Sequence, residues 1–325
     1  MGFFKVEQKA NELAELRRVG WVKGTSTGFA NLDEIFTLKS GYPLFIAGAP
    51  HAGKTEIVLE ILLNTSVLHG WKHFIYLGEG GEVEEVIAEL CHKYIAKPFK
   101  SGAEYSMSEA EKVQAEMFIN EHFIFLDDSG DYTLTQFFEL AQAAQDEFMI
   151  KFNTTCFDPF NDIVDESAKF GGRDDKWLAH ELKLARRSSK KHDRIDILVN
   201  HISDIHPVLD KDTNKRYIPP ALPSEWAGGR TWWRRAFGMV LIYRPPQFLK
   251  DEHGVQYKQN ETHFIVQKAK PKGIGKLGFK SLFFDWKMNR YFWVDDYDKP
   301  YFAFETNKKK ELQPLTRFED ETAPF

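Results

Sequence analysis

Cysteine is nearly absent: Cys91 and Cys156 are the only two in 325 residues. Each lies within or beside an apolar segment. That leaves no disulfide framework and no metal-ligand spacing, and fits a reducing, cytosolic compartment. Long apolar runs are missing too. No stretch approaches the ~18 residues that read as a membrane span. The opening Met-Gly-Phe-Phe-Lys-Val carries neither a secretory apolar region nor the position-6 Ser/Thr of a myristoylation signal. Positive charge is not in surplus. The formal net charge is −5 with 28% charged residues, which argues against a uniformly basic coat for nucleic acid while allowing a local basic channel. What remains is a chain without internal repeats, long enough to bury a large core as one α/β domain or a domain with appendages.

Against these absences stands one complete motif. Residues 48–55 read Gly-Ala-Pro-His-Ala-Gly-Lys-Thr, a G-x-x-x-x-G-K-[ST] phosphate-binding loop. Gly48 and Gly53 let the backbone curl so that N–H groups point at a polyphosphate. Lys54 brings a charge to the β- and γ-phosphates, and Thr55 offers a hydroxyl to Mg²⁺. The apolar run Leu44-Phe45-Ile46-Ala47 predicts a buried strand before the loop. Ile57, Val58, Leu59, Ile61, Leu62 and Leu63 predict a buried helix after it, stopping near Gly70. Strand, loop and helix in that order set a helix N-terminus against the phosphates. The nucleotide-binding set is therefore Gly48, Ala49, Pro50, His51, Ala52, Gly53, Lys54, Thr55 and Glu56, with ATP and Mg²⁺ as the cofactors implied.

The rest of the chain alternates strand and helix patterns. Strands are expected at 42–47, 73–77, 122–126, 153–157, 195–200 and 238–243, and helices at 82–95, 108–120, 133–148 and 175–191, with Thr133 or Thr135 as an N-cap. Such alternation predicts a doubly wound, mostly parallel sheet. Segments 261–268 and 278–294 read as strands of an antiparallel C-terminal addition. Residues 3–17 place Phe3, Val6, Ala10, Leu13 and Leu16 at helical spacing, an amphipathic helix that needs its own core or a neighbouring subunit to lie on. The expected divisions are an N-terminal helix and linker at 1–22, an ATPase core at 23–304 and a flexible acidic tail at 305–325.

Two carboxylates fit the loop. Asp158 ends the strand Thr154-Thr155-Cys156-Phe157, where a doubly wound sheet points side chains into its ligand crevice, so it suits Mg²⁺; a helix cap or turn is the plainer alternative. Glu79, just past the strand ending at Leu77, is a candidate for the second carboxylate that a phosphate loop usually needs to activate water. Glu82, Glu84 and Glu85 compete with it, but fall in the next helix.

Residues 27–55, together with Glu79, Asp158 and Leu198-Val199-Asn200-His201, resemble the RecA-like motor of DnaB-type replicative helicases, the group that includes Twinkle and phage primase-helicases. Segments 219–229 and 240–244 resemble that family's last core motif. The resemblance covers about residues 25–295. It implies a RecA-like P-loop fold, an ATP hydrolase with Glu79, Lys54, Asp158 and His201 as catalytic residues, and Arg244 stacking on the adenine. It also implies a hexameric ring on single-stranded DNA and DNA replication in a bacterial or phage-infected cytoplasm. His201 would report the γ-phosphate to a DNA loop.

The chain also departs from the family, in a late-strand motif above all. Where the family carries Lys-x-Arg, the Arg acting on a neighbour's ATP, this chain has Lys268-Ala269-Lys270. Lysine cannot make the planar bidentate contact of a guanidinium. Lys268 and Lys270 are the candidate trans-acting residues, with Arg230, Arg234 or Arg235 as substitutes. A RecA-like recombinase and a non-motor ATP-gated assembly factor therefore stay open. DNA-binding candidates are Arg173 and Lys176 in a basic segment at 173–194, and Arg230, Trp232, Trp233, Arg234 and Arg235, where guanidinium groups alternate with aromatic rings. The two tryptophans could equally pack at a subunit contact. The acidic end closing on Pro324-Phe325 resembles partner-docking tails, with a plain solvated terminus as the alternative.

Overall fold

The apolar run ahead of the phosphate loop becomes a strand buried on both faces, and the sheet is laid out around it. A computed structural model describes residues 3–102 and 105–305. In chain order the elements are α1 (Ala10–Val19), α2 (Ala30–Asp33), β1 (Leu44–Gly48), α3 (Lys54–His69), β2 (His73–Leu77), α4 (Val83–Ile95), α5 (Glu109–His122), β3 (Phe123–Phe125), α6 (Leu134–Phe148), β4 (Thr154–Asp158), α7 (Asp174–His192) and β5 (Ile195–His201). A small hairpin, β6 (Val208–Leu209) with β7 (Arg216–Tyr217), then leads to α8 (Arg230–Arg235), β8 (Gly238–Tyr243), β9 (Glu261–Ala269), β10 (Gly278–Asp285), β11 (Arg290–Val294) and β12 (Pro300–Tyr301).

One sheet of ten strands has the order β12-β11-β10-β9-β8-β1-β5-β4-β2-β3. Strands β8, β1, β5, β4, β2 and β3 run parallel, while β9 to β12 add on in antiparallel fashion. The α/β alternation and the antiparallel addition are as the periodicities predict. Side chains of each strand alternate between two cores. Ile46, Ile75, Cys156, Ile197 and Val240 join α3, α4 and α5 on one face. Phe45, Phe74, Phe157, Leu198 and Met239 join α6, α7 and α8 on the other. The helix caps are those the sequence chemistry favours: the Thr133 side chain accepts from the Gln136 amide at the start of α6, and Gly70 ends α3 in a left-handed conformation.

Three points go beyond the expected elements or leave them open. Helix α1 has no buried residue, and Phe3, Phe4 and Val6 before it are 88%, 69% and 76% exposed, so it does not lie on its own core. Strand β12 and the β6–β7 hairpin are too short to leave a periodic signature. The proposed tail at 305–325 lies, apart from Glu305, outside the described residues.

Candidate nucleotide site

The loop geometry explains its two glycines. Gly53, the residue before α3, has φ +88°, a left-handed conformation that side chains resist. Gly48 needs space instead: a β-carbon there would lie 2.5 Å from the Ile242 carbonyl oxygen of β8. Helix α3 begins at Lys54, so the free N–H groups of its first turn face the loop.

Strand register gathers the other groups. In the β1–β5 ladder Gly48 pairs with His201, and in the β2–β4 ladder Leu77 pairs with Asp158, with Glu79 two residues beyond. The Thr55 hydroxyl donates to Asp158 Oδ2 at 2.6 Å. Lys54 Nζ donates to the Ala49 carbonyl at 3.2 Å and lies 3.5 Å from His201 Nδ1. His201 Nε2 is 3.4 Å from Glu79 Oε1, an arrangement suited to the tautomer protonated on Nε2. Lys54, His201 and Glu79 thus form one chain beside the Thr55–Asp158 pair.

Their electrostatics differ. Asp158 is 3% exposed. Burial, opposed by the Thr55 hydrogen bond and the Lys54 charge, pushes its carboxyl up to about 6. Burial pulls the Lys54 ammonium below the usual lysine range, with Asp158 and Glu79 opposing the shift. The Glu79 side chain keeps 62% of its exposure, as a group meeting a water molecule would. Thr55 and Asp158 fit Mg²⁺: both present hard oxygen atoms, and a desolvated carboxylate gains from a nearby cation. Among the described residues no cluster of three or more His, Cys, Asp or Glu side chains could form an all-protein cage, which Mg²⁺ beside phosphates does not need.

Asp162, which periodicity did not single out, lies beside these groups. Its Oδ2 would lie 2.1 Å from a β-carbon on Gly78, so the carboxylate rests on the backbone next to Glu79. Burial raises its pKa, with further raising by Glu79 and opposition from His201. Glu82 caps α4 and Glu85 folds back on it, so both are engaged away from the loop. The Glu56 carboxylate turns beneath the loop to Lys93 Nζ at 2.6 Å. Arg244, just past the end of β8, lines a cavity of about 410 Å³ together with Ala49, Pro50, His51 and Ala52.

The outward candidates separate on burial. Trp232 is 0% exposed. Its ring meets Phe45 and Phe160 edge-on, each at 5.2 Å, and its Nε1 donates to the Ala227 carbonyl at 2.6 Å. It is a core residue, unavailable for stacking on a base or for a subunit contact, because one face of the short α8 turns inward. Trp233, one position on, is 45% exposed, with Lys268 Nζ 5.0 Å above its ring and donating to its carbonyl. Arg230, Arg234, Arg235 and Lys270 are exposed, as are Arg173 and Lys176, and Arg173 makes a bidentate pair with Asp175. Arg194, counted in the basic segment, is buried against Asp196 at 2.8 Å. The end of β5 is strapped to this region. The Ala227 amide donates to the His201 carbonyl at 3.1 Å, and Asn200 Nδ2 donates to the Ala227 carbonyl at 3.0 Å.

No family model matches the chain. Its fold is that of RecA-like P-loop domains. A DnaB-like replicative helicase, whose structure was described with its interactions with primase, superposes with a TM-score of 0.67 at 16% identity, over 88% of this chain and 67% of that one. A second solved structure, an ATPase domain by its description, gives 0.69 at 15% identity, over 91% of this chain and 100% of that one. The RadB recombinase gives 0.52 at 14% identity, over 83% of this chain and 99% of that one. In sequence, the Twinkle homolog protein, chloroplastic/mitochondrial, of Arabidopsis thaliana is 27% identical over 183 residues. That alignment covers 54% of this chain and spans a quarter (25%) of the plant protein. The chain therefore resembles the RecA-like motor domain of DnaB-type helicases. Among the described residues no helix is long and apolar enough to cross a membrane.

Proposed function

We propose that this protein hydrolyses ATP to move along single-stranded DNA as an oligomer, in the manner of phage-type replicative helicases. The observation that carries the reading is the chain Lys54–His201–Glu79 beside the Thr55–Asp158 pair. The loop N–H groups and Lys54 bind the β- and γ-phosphates. Thr55 and Asp158 would hold Mg²⁺, which when bound neutralises phosphate charge. Glu79 orients a water and takes its proton. His201 sits between Glu79 and Lys54 and, through the Ala227 strap, passes the state of the γ-phosphate to α8.

On this reading Arg244 stacks on the adenine. Arg230, Trp233, Arg234 and Arg235, with Arg173 and Lys176, meet the DNA, and Lys268 and Lys270 act on the ATP of a neighbour in a hexameric ring. The cytoplasm of a bacterial or phage-infected cell is the setting we infer, and the Pro324-Phe325 end is proposed to dock a replication partner. Deleting the last ~8 residues should then abolish partner binding while sparing ATPase activity. A specific observation favours a second reading as an ATP-gated assembly factor: Lys268 is engaged with Trp233 of its own chain.

ATPase measured with and without single-stranded DNA, alongside particle mass with a non-hydrolysable ATP analogue, separates the two. The motor reading expects a multimer stimulated by DNA. A nucleotide-binding monomer indifferent to DNA would overturn it.

A further inference from the structure

Tyr291 lies on β11, which β10, β9 and β8 separate from β1 in the sheet, yet its hydroxyl comes up against the phosphate loop. A β-carbon built on Gly53 would lie 2.6 Å from the Tyr291 hydroxyl oxygen, so the phenol abuts the backbone at the turn into α3. Tyr291 is 1% exposed, and its ring packs on Phe284 at 5.0 Å between centroids. Charged groups of α4 and β11 hold the first two turns of α3. Lys93 Nζ, with a side chain 0% exposed, donates to the Asn289 carbonyl at 2.9 Å and to Glu56 at 2.6 Å. Arg290 pairs with Glu60 at 3.1 Å, both side chains at or below 2% exposure.

Apolar packing is non-directional, whereas a buried ion pair selects one relative position of its elements, and a hydroxyl wedged against a backbone turn limits how far that turn can shift. A phosphate site needs that selection, because its donors are backbone N–H groups whose direction is set by where the helix begins. The first turn of α3 makes few hydrogen bonds of its own; those at the loop are Ala52 N–H to the Ala49 carbonyl at 3.2 Å and Ile57 N–H to the Gly53 carbonyl at 3.0 Å.

We propose that Tyr291 is a positioning residue that holds Gly53 in place for phosphate binding, with the Lys93–Glu56 pair anchoring the same turn from the side. The proposal rests on the reading of residues 48–55 as the nucleotide site, and it makes the antiparallel addition part of that site.

Tyr291→Phe tests it, since the ring and its packing on Phe284 stay. In nucleotide-free protein the Ile57 and Ala52 amides should exchange hydrogen about tenfold faster than in the wild type, with amides of β1 and β5 unchanged. The Kd for a non-hydrolysable ATP analogue should rise about five- to tenfold, with KM following it and kcat within about twofold, the pattern of lost uniform binding. Phe284→Leu is the control: it should lower Tm and leave loop exchange alone. Wild-type exchange at Ile57 and Ala52 in Tyr291→Phe would overturn the proposal, as would equal loosening by Phe284→Leu. Should the wild type bind no nucleotide, the ATPase reading falls, and the exchange measurement still decides whether Tyr291 holds the loop.

Discussion

On the inner side of the phosphate loop, the groups assigned to the chemistry are partnered within the chain: Thr55 with Asp158, and Lys54 with His201, which meets Glu79. On the outer face, Lys270, Arg230, Arg234 and Arg235 stand exposed around α8 and the end of β9. Among the inner groups Asp158 and Lys54 are desolvated, and burial raises the pKa of Asp158 and lowers that of Lys54. The contrast teaches that, on the proposed reading, one chain suffices to build the phosphate and metal half of the site. The outer half is a surface whose charges are solvated unless something else covers them, and a solvated charge is a weak lever on a transition state.

The sharpest way to break the comparison is at Glu79. Glu79→Gln should cost ~10²–10⁴ in kcat while the affinity for a non-hydrolysable analogue stays near wild type. Equal activity would move water activation to Asp162 or another group.

Next comes the pair of neighbouring tryptophans. Trp232→Ala should destabilise the fold by ~3–5 kcal/mol in denaturant unfolding, because it empties a core site. Trp233→Ala should cost under ~1 kcal/mol of stability. It should instead weaken single-stranded DNA binding by ~1–3 kcal/mol in a titration by anisotropy.

The third test uses pH. With its pKa raised to about 6 from an ordinary 3.8, Asp158 binds a proton more tightly folded than unfolded. In Mg²⁺-free buffer its contribution is fully present below pH 3.8 and is lost as pH rises through 6. The loss is about 3 kcal/mol at most. Asp158→Asn should flatten that part of the stability–pH profile, and added Mg²⁺ with nucleotide should restore the wild type near neutrality.

The smallest effect belongs to the outer face. Lys270→Ala should lower turnover of the assembled protein by up to about tenfold, well short of the ~10³–10⁵ an arginine finger supplies. Lys270→Arg should raise turnover if that face completes a neighbour's site, and leave it unchanged if it does not.

Much of the inner half could be read from residue order. The spacing from Gly48 to Thr55, apolar runs on either side, and acids just past strand ends are local patterns, and the strands and helices carrying them lie within a few residues of expectation. Trp232, beside Trp233, marks where that reading failed. Both sit in a basic, aromatic stretch, and a helix of six residues is too short for periodicity to say which ring turns inward. Asp162 and Tyr291 were missed for another reason. One follows an irregular turn and the other lies on the far strands of the sheet, so no local spacing ties either to residues 48–55.

By itself, then, the sequence determined the chemical inventory: a polyphosphate loop, strands ending in carboxylates, and lysine where a guanidinium would be expected. These follow from residue type and short-range order, which steric and hydrogen-bonding rules make legible over a few residues. Only the tertiary structure decided which groups meet. Register brought His201 to Gly48 and Asp158 to Leu77. Burial claimed Trp232, and the folding back of β11 set a phenol against Gly53. Such contacts join residues distant in sequence, and their energies depend on desolvation and packing that exist only once the sheet has formed.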